Sequence, residues 1–164
     1  MVFATGYEIS YPFLSESVAP KSRKDFNLYK NVFNPNLKHP KTLAFIGLVL
    51  PIGAVLPVAE LQSRWFALLM ADKVELPIQK KMLSDIKKRK KWVKQHFPNW
   101  EKHAIEVYWI PCMDEIARLI GAKPNLLRYF FTDPKLWWHL FFGPCVPYQY
   151  RITGLKFLSS LLSC

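Results

Sequence analysis

Glycine is scarce in this sequence. There are six glycines in 164 residues, and no two stand close enough to form a GxGxxG fingerprint or a P-loop. Both motifs need glycines a few positions apart, because only a backbone without side chains can approach a phosphate closely. A complete nucleotide-phosphate site is therefore absent from this chain.

Cysteine, histidine and serine also form no recognisable site. Cys112, Cys145 and Cys164 make no CxxC pair and are odd in number, so they indicate neither a zinc site nor a disulfide framework but reduced thiols. No two histidines have a metal-ligand spacing such as HxxxH, and no GxSxG elbow is present. The sequence thus predicts no metal site and disfavours a self-contained hydrolase or metalloenzyme.

The sequence also lacks the features of a signal peptide and of a membrane-spanning helix. Met1 is followed by neither a basic region nor a sustained apolar one. The longest apolar run, Leu43 to Ala59, carries two prolines and two glycines. An unbroken transmembrane helix is not expected there, because lipid-exposed backbone groups need continuous helical hydrogen bonds.

Positive charge is abundant and concentrated. The formal net charge is +11, and much of it lies in one run. A solvated helix face explains such a run, as does contact with an anionic membrane surface. Nucleic acid is disfavoured, because only Trp92 interleaves an aromatic ring with the basic residues. The run comprises Lys80, Lys81, Lys87, Lys88, Arg89, Lys90, Lys91, Lys94 and Lys102.

The stretch from Leu43 to Trp65 predicts a strand that feeds a helix. We expect the strand over Leu43 to Ile46 and the helix from Pro57 to about Ala71, with an i, i+4 pair between Glu60 and Arg64. A small-residue turn between them brings backbone N–H groups toward whatever occupies the crevice, which suits a phosphate or an electron-rich ring edge. A plain buried strand and core helix is the alternative.

Further elements follow from periodicity and from capping residues. The last predicted helix contains KLWWHLFF, which is typical either of an element lying in the headgroup region of a membrane or of an aromatic core helix. The predicted segments are a short strand at Asn27 to Val32, a helix at Ile78 to Phe97, an extended segment at Ala104 to Ile110, a helix at Met113 to Ile120 capped by Gly121, helical turns at Leu126 to Phe131, and a helix between Asp133-Pro134 and Gly143-Pro144.

Six ordered sequence blocks carry a resemblance to a known family. Together they resemble the flavin-containing monooxygenases of the dimethylaniline N-oxide-forming type, in order over most of the chain. The blocks are FATGY at Phe3 to Tyr7, YPFL at Tyr11 to Leu14, the stretch from Leu43 to Trp65, PNLL at Pro124 to Leu127, TDPKL at Thr132 to Leu136 and FGPCVPYQYRITG at Phe142 to Gly154.

The resemblance implies an α/β fold, as the C-terminal fragment of a Rossmann-like flavoprotein with two dinucleotide-binding domains and a mostly helical C-terminal part. Residues 1–76 would be the return segment and the closing strand and helix of the FAD domain, 77–154 a helical C-terminal region and 155–164 a divergent tail. The implied cofactors are FAD and NADPH. The implied contacts with them are made by Thr5, Gly6, Tyr7, Pro51, Gly53 and Ala54.

The implied chemistry belongs to the cofactor. In the family, NADPH reduces FAD, oxygen adds to give a C4a-hydroperoxyflavin, and its distal oxygen passes to the soft nitrogen or sulfur of a small-molecule amine or sulfide. No catalytic acid, base or nucleophile is expected in this chain, because the protein mainly positions and shields the flavin. The resemblance also implies a location on the cytosolic face of the endoplasmic reticulum membrane.

Departures from the family pattern limit what this chain is expected to do alone. Both glycine-rich fingerprints are missing, Leu50 stands where family members often carry glutamine, and LKFLSSLLSC replaces the continuation toward a hydrophobic anchor. We therefore expect the chain to be inactive by itself. The alternative function is a non-catalytic product that binds a membrane surface or a partner through the basic helix and the aromatic helix.

Overall fold

The computed structural model describes residues 1–2, 9–15, 17–19, 27–101 and 103–152. Among the described residues, two short strands pair in one sheet, and five α-helices lie between and after these strands in the order of the chain. The elements are β1 Leu50–Ile52, α1 Val55–Met70, α2 Gln79–His96, β2 Glu106–Tyr108, α3 Trp109–Leu119, α4 Leu126–Thr132 and α5 Pro134–Phe142, with 3-10 turns at Pro40–Thr42 and Pro147–Arg151.

The chain divides into two compact units. Of the described residues, the first unit contains those within 1–52 and 75–107, and the second contains those within 53–74 and 108–164. These units reflect which residues lie close together. The boundaries expected from the family resemblance, at residues 76 and 154, stay a prediction.

The first unit has a core formed mainly by irregular segments. Its central cluster joins loop residues to the segment before β2, and partly buried side chains pack around it. Lys30 and Asn31 adopt positive φ angles of 51° and 59° and so form a tight turn that buries Val32 and Phe33 completely. Helix α2 closes the unit by burying Met82, Ile86 and Val93. The central cluster comprises Ala19, Leu28, Phe45, Leu48 and Ile105.

The second unit is built on helix α1 packed against helix α3. The apolar positions of α1 recur every three or four residues, so one face of the helix is buried. Helix α3 presents Met113, Ile116 and Ala117 as its buried positions. The buried residues of α1 are Val58, Leu61, Gln62, Trp65 and Leu69.

Local capping delimits the two short helices that follow. The side chain of Asn125 accepts a hydrogen bond from the Arg128 N–H at 3.0 Å, and Asp133 accepts one from the Leu136 N–H at 3.0 Å. Both bonds satisfy N–H groups that have no acceptor within the helix. Pro134 occupies the first position of α5, as the sequence predicted.

The structure confirms most predicted helices and corrects several boundaries and strands. Helix α3 begins at Trp109, four residues before the predicted start at Met113, so the extended segment predicted to Ile110 ends with β2 at Tyr108. Leu43 to Ile46 form no strand; the strand of this stretch is β1, which starts at Leu50. Asn27 to Val32 also form no strand, because the chain turns at Lys30 and leaves one isolated bridge between Tyr29 and Phe33.

Helix α1 begins at Val55, two residues before the predicted start. Pro57 is therefore its third residue rather than its first, a position that still needs no N–H. The mostly helical C-terminal part is confirmed by α2 to α5. The FATGY block at Phe3 to Tyr7 lies outside the described residues.

Candidate functional site

Three of the six predicted cofactor-contacting residues, Pro51, Gly53 and Ala54, lie at the junction from β1 to α1. Pro51 is the buried middle residue of β1, in the first unit, and the preceding Leu50 N–H donates to the Ile105 carbonyl at 2.9 Å. Gly53 and Ala54 begin the second unit. Thr5, Gly6 and Tyr7 lie outside the described residues, so their expected contact with the cofactor stays a prediction.

Gly53 is required by its own surroundings in the second unit. Its φ angle is +134°, a conformation that favours glycine. A Cβ at this position would stand 2.6 Å from Trp109 Cδ1. Close packing of the Trp109 ring thus accounts for this glycine, and its contact with a cofactor stays a prediction.

Ala54 leaves the N-terminus of α1 open. It occupies the N-cap position with φ −85° and ψ 127°, and it has no side-chain oxygen to accept an N–H. Helix α1, which the structure describes in full, has no acidic residue in its first turn. Pro57 has no N–H, so the donors of this turn are the backbone N–H groups of Val55 and Leu56. These donors suit an anion or an electron-rich ring edge.

Charged residues of α1 fix the turn at Pro147–Arg151. Arg151 Nε donates to Glu60 Oε1 at 3.0 Å, and its Nη2 donates to the other carboxylate oxygen. Arg64 Nη1 donates to the Tyr150 carbonyl at 2.9 Å, and burial of the Arg64 guanidinium lowers its pKa. The predicted pair between Glu60 and Arg64 is present as a charge interaction, in which Glu60 raises the pKa of Arg64 against the larger effect of burial. The hydrogen bonds of both side chains go instead to the turn, which is distant in the sequence.

Asp114 of α3 binds the same turn from a second side. Its carboxylate accepts hydrogen bonds from Tyr150 Oη at 2.9 Å, from Lys123 Nζ at 2.5 Å and from Arg118 Nη2 at 3.5 Å. Burial of the phenol, and then its hydrogen bond to Asp114, raise the pKa of Tyr150. The turn is thus fixed to both helices of the unit's core.

Sequence reasoning did not single out Asp114 or Tyr150 as structurally important. Tyr150 and Arg151 do lie within FGPCVPYQYRITG, one of the blocks that carry the family resemblance, and that block was the available signal. Asp114 lies outside every block that carries the resemblance, so the sequence contained no signal for its role.

Two kinds of site are not found in the described part of the chain. Among those residues no group of three or more histidine, cysteine, aspartate or glutamate side chains is arranged to hold a metal ion. None of the described helices has the length and apolar character needed to cross a membrane. Neither Cys112 nor Cys145, both within the described residues, forms a disulfide.

Comparison with known proteins identifies the family. The family model described as flavin-binding monooxygenase-like matches residues 1–157. The chain is 46% identical over 154 residues to flavin-containing monooxygenase 5 of Cavia porcellus and 44% identical to that of Homo sapiens. It is 42% identical over 158 residues to flavin-containing monooxygenase 3 of Homo sapiens. Each comparison covers 94% of this chain and 28% of the relative. The chain belongs to the flavin-binding monooxygenase-like family, and it spans 28% of the length of these relatives.

Proposed function

We propose that this chain is the C-terminal part of an NADPH- and oxygen-dependent flavin monooxygenase that oxygenates the soft nitrogen or sulfur of small amines or sulfides. The observation that carries the proposal is the family match across residues 1–157, which includes the junction from β1 to α1. The proposal includes a Rossmann-like parent with two dinucleotide-binding domains. It also includes a location on the cytosolic face of the endoplasmic reticulum membrane.

The backbone N–H groups at the junction from β1 to α1 are suited to donating hydrogen bonds to a flavin ring. FAD, when bound, supplies the redox chemistry that activates oxygen. We assign to the Val55 and Leu56 N–H groups the role of donors toward the electron-rich edge of the ring, since no side chain of α1 caps them. The exposed apolar side chain of Leu56, next to these donors, is suited to excluding water when a ring covers it. Thr5, Gly6, Tyr7 and Pro51 complete the proposed set of cofactor contacts, with Gly53 and Ala54.

The 164-residue chain alone is proposed to lack activity. Its six glycines form neither of the phosphate-binding turns on which dinucleotide affinity depends. Titration of the purified chain with FAD, followed by flavin fluorescence, is expected to show no saturable binding, and no NADPH oxidation is expected. Circular dichroism of the same sample establishes that the chain is folded. A bound yellow flavin that is reduced by NADPH would contradict this part of the proposal.

The aromatic helix supports a second candidate function, a non-catalytic contact with a membrane surface. Helices α4 and α5, both described in full, bury no residue, and large rings such as Phe131, Trp138 and Phe142 remain exposed. Tryptophan and phenylalanine on a short helix are typical of elements that lie in the headgroup region.

Neutral vesicles test this second candidate. Binding to phosphatidylcholine vesicles that persists at high salt and is lost in the variant Trp138→Ala/Phe142→Ala would support it. The control variant Leu56→Ala removes an exposed apolar side chain from α1 and is expected to bind normally. No binding of the unmodified chain at any salt concentration would eliminate the candidate.

A further inference from the structure

Helix α2 carries a row of lysines along its outward face. At 100° per residue, six of its lysines fall within an arc of about 140°, and the first and last are about 21 Å apart along the helix axis. All six side chains are exposed, and only Ser84 and Gln95 share the arc with them. The six, called here the lysine face, are Lys80, Lys81, Lys87, Lys88, Lys91 and Lys94.

The opposite face of α2 fixes the direction in which the lysines point. Met82, Ile86 and Val93 are buried there. Arg89, the one arginine of the helix, also points inward: its guanidinium donates to Asn31 Oδ1 at 2.6 Å and to the carbonyls of Ala104 and Glu106 at 3.2 and 3.1 Å. The helix is therefore held in the first unit by its apolar side and cannot rotate to hide its charge.

The lysine face has no acidic partner. Asp85, the only acidic residue of α2, lies off the arc and pairs with Lys30 at 2.7 Å. None of the six lysines forms an ion pair with any residue that the structure describes. The Nζ of Lys94 lies 4.5 Å from the centre of the Trp100 ring. Six positive charges in one row attract a polyanion. The polyanion places a negative charge near each lysine, which the protein itself does not do.

We propose that the lysine face binds the surface of a bilayer containing anionic lipids. Lysine is a compact point charge on a flexible stem, which suits headgroups that move laterally and present no fixed pattern. A nucleic-acid surface instead uses arginine forks and stacked aromatic rings, and this arc has neither. The buried apolar side of α2 leaves the charged face, rather than an inserted helix, as the means of contact.

The full 164-residue chain and vesicle flotation provide the test. At low salt, the chain is expected to float with vesicles of phosphatidylcholine mixed with phosphatidylserine to a much greater extent than with phosphatidylcholine alone. Binding is expected to weaken strongly as salt rises, because the screening length falls from about 10 Å at 0.1 M to about 3 Å at 1 M. This salt and headgroup dependence distinguishes the lysine face from an apolar contact by α5.

A matched pair of variants locates the binding surface. Lys80→Gln/Lys87→Gln/Lys91→Gln is expected to lower partitioning into the anionic vesicles by about a hundred-fold, since each basic residue near the surface contributes a factor of roughly five. The control variant Lys38→Gln/Lys41→Gln/Lys73→Gln removes the same charge from exposed lysines elsewhere. It is expected to change partitioning by about two-fold, through net charge alone. Circular dichroism of both variants establishes that each remains folded.

Three results would overturn the proposal. Equal binding to neutral and anionic vesicles would remove the electrostatic basis, and an equal loss in both variants would mean that net charge matters but the lysine face does not. Tighter retention on RNA than on anionic vesicles at the same salt concentration would assign the lysine face to a nucleic acid. The proposal does not depend on the monooxygenase function, since its readout requires neither FAD nor NADPH.

Discussion

Two helical pairs in the second unit are stabilised in different ways. Helices α1 and α3 pack on each other through buried apolar faces, with Trp65 at 1% exposure. Helices α4 and α5, which the structure describes in full, bury no residue, and Trp138 is 57% exposed. The first pair depends on contacts between distant parts of the sequence, whereas the second depends on capping residues and on contacts among neighbouring rings.

Ring contacts within the α4 and α5 segment are numerous but local. Trp137 lies at its centre, with its ring centroid 5.0 Å from that of Phe130 and 5.4 Å from that of Phe141. Such pairs stabilise by about 1 kcal/mol each beyond the area they bury. They cannot substitute for a core, so stability is expected to concentrate in α1 and α3 while α4 and α5 provide an apolar surface.

Tryptophan substitutions are expected to give the largest difference in stability between the α1–α3 pair and the α4–α5 pair. Trp65→Ala is expected to lower the free energy of unfolding by about 3 to 5 kcal/mol, because it leaves a cavity between buried neighbours. Trp138→Ala is expected to lower it by less than about 1 kcal/mol, because the ring is mostly solvated. Urea unfolding measures both changes. Equal losses would mean that α5 is part of the core.

A second pair of substitutions compares the two aspartates that organise these regions. Asp114→Ala is expected to cost about 2 to 3 kcal/mol, because the Tyr150 hydroxyl and the Lys123 ammonium lose a shared acceptor. Asp133→Ala removes only the N-cap of α5 and is expected to cost about 1 kcal/mol. Thermal and urea unfolding provide the comparison, and a larger loss for Asp133→Ala would contradict it.

Glycine substitutions test how tightly the start of α1 is packed. Gly53→Ala is expected to cost about 2 kcal/mol, because the new Cβ meets the Trp109 ring and the φ angle of +134° becomes strained. Gly121 has a φ angle of +68°, but a Cβ added there would meet no atom within 4 Å. Gly121→Ala is therefore expected to lower the free energy of unfolding by about 1 kcal/mol, from backbone strain alone. If the two costs are equal in urea unfolding, packing against Trp109 contributes nothing.

The smallest expected effect is a loss of stability at alkaline pH. Burial and the hydrogen bond to Asp114 raise the pKa of Tyr150, so the folded chain holds this proton more tightly than the unfolded chain. The stabilisation is fully present below pH 10, near the pKa of a solvated tyrosine, and decreases as the pH rises above it. Tyr150→Phe is expected to flatten this decrease, whereas Tyr148→Phe, at an exposed position, should keep it. Unfolding curves across the alkaline range measure both slopes.

Features determined by neighbouring residues were predictable from the sequence. Asp133, Pro134 and Gly143 delimited α5 correctly, because a capping residue acts within one turn of the helix. Strand β1 could not be placed correctly, because three residues become a strand only by pairing with β2, which lies far along the chain.

The candidate site was predictable only in part, for the same reason. Pro57 marked a helix start, and the structure begins α1 two residues earlier, at Val55. Two tertiary contacts could not be predicted from any local sequence pattern. One is the close packing of the Trp109 ring against Gly53, and the other is the hydrogen bond that the Tyr150 carbonyl accepts from Arg64. The charge interaction between Glu60 and Arg64 was predictable from their spacing on one helix, but the hydrogen bond from Arg151 to Glu60 was not.

The most direct test of the proposed function joins this chain to the part of a relative that it does not cover. The chimera carries the part of flavin-containing monooxygenase 5 of Cavia porcellus that this chain does not cover, joined to this chain. We expect it to purify with stoichiometric FAD and to consume NADPH and oxygen when an amine or sulfide is added. A folded chimera that holds no flavin, prepared beside a relative that does, would contradict the proposal that this chain supplies the C-terminal part of a flavin monooxygenase.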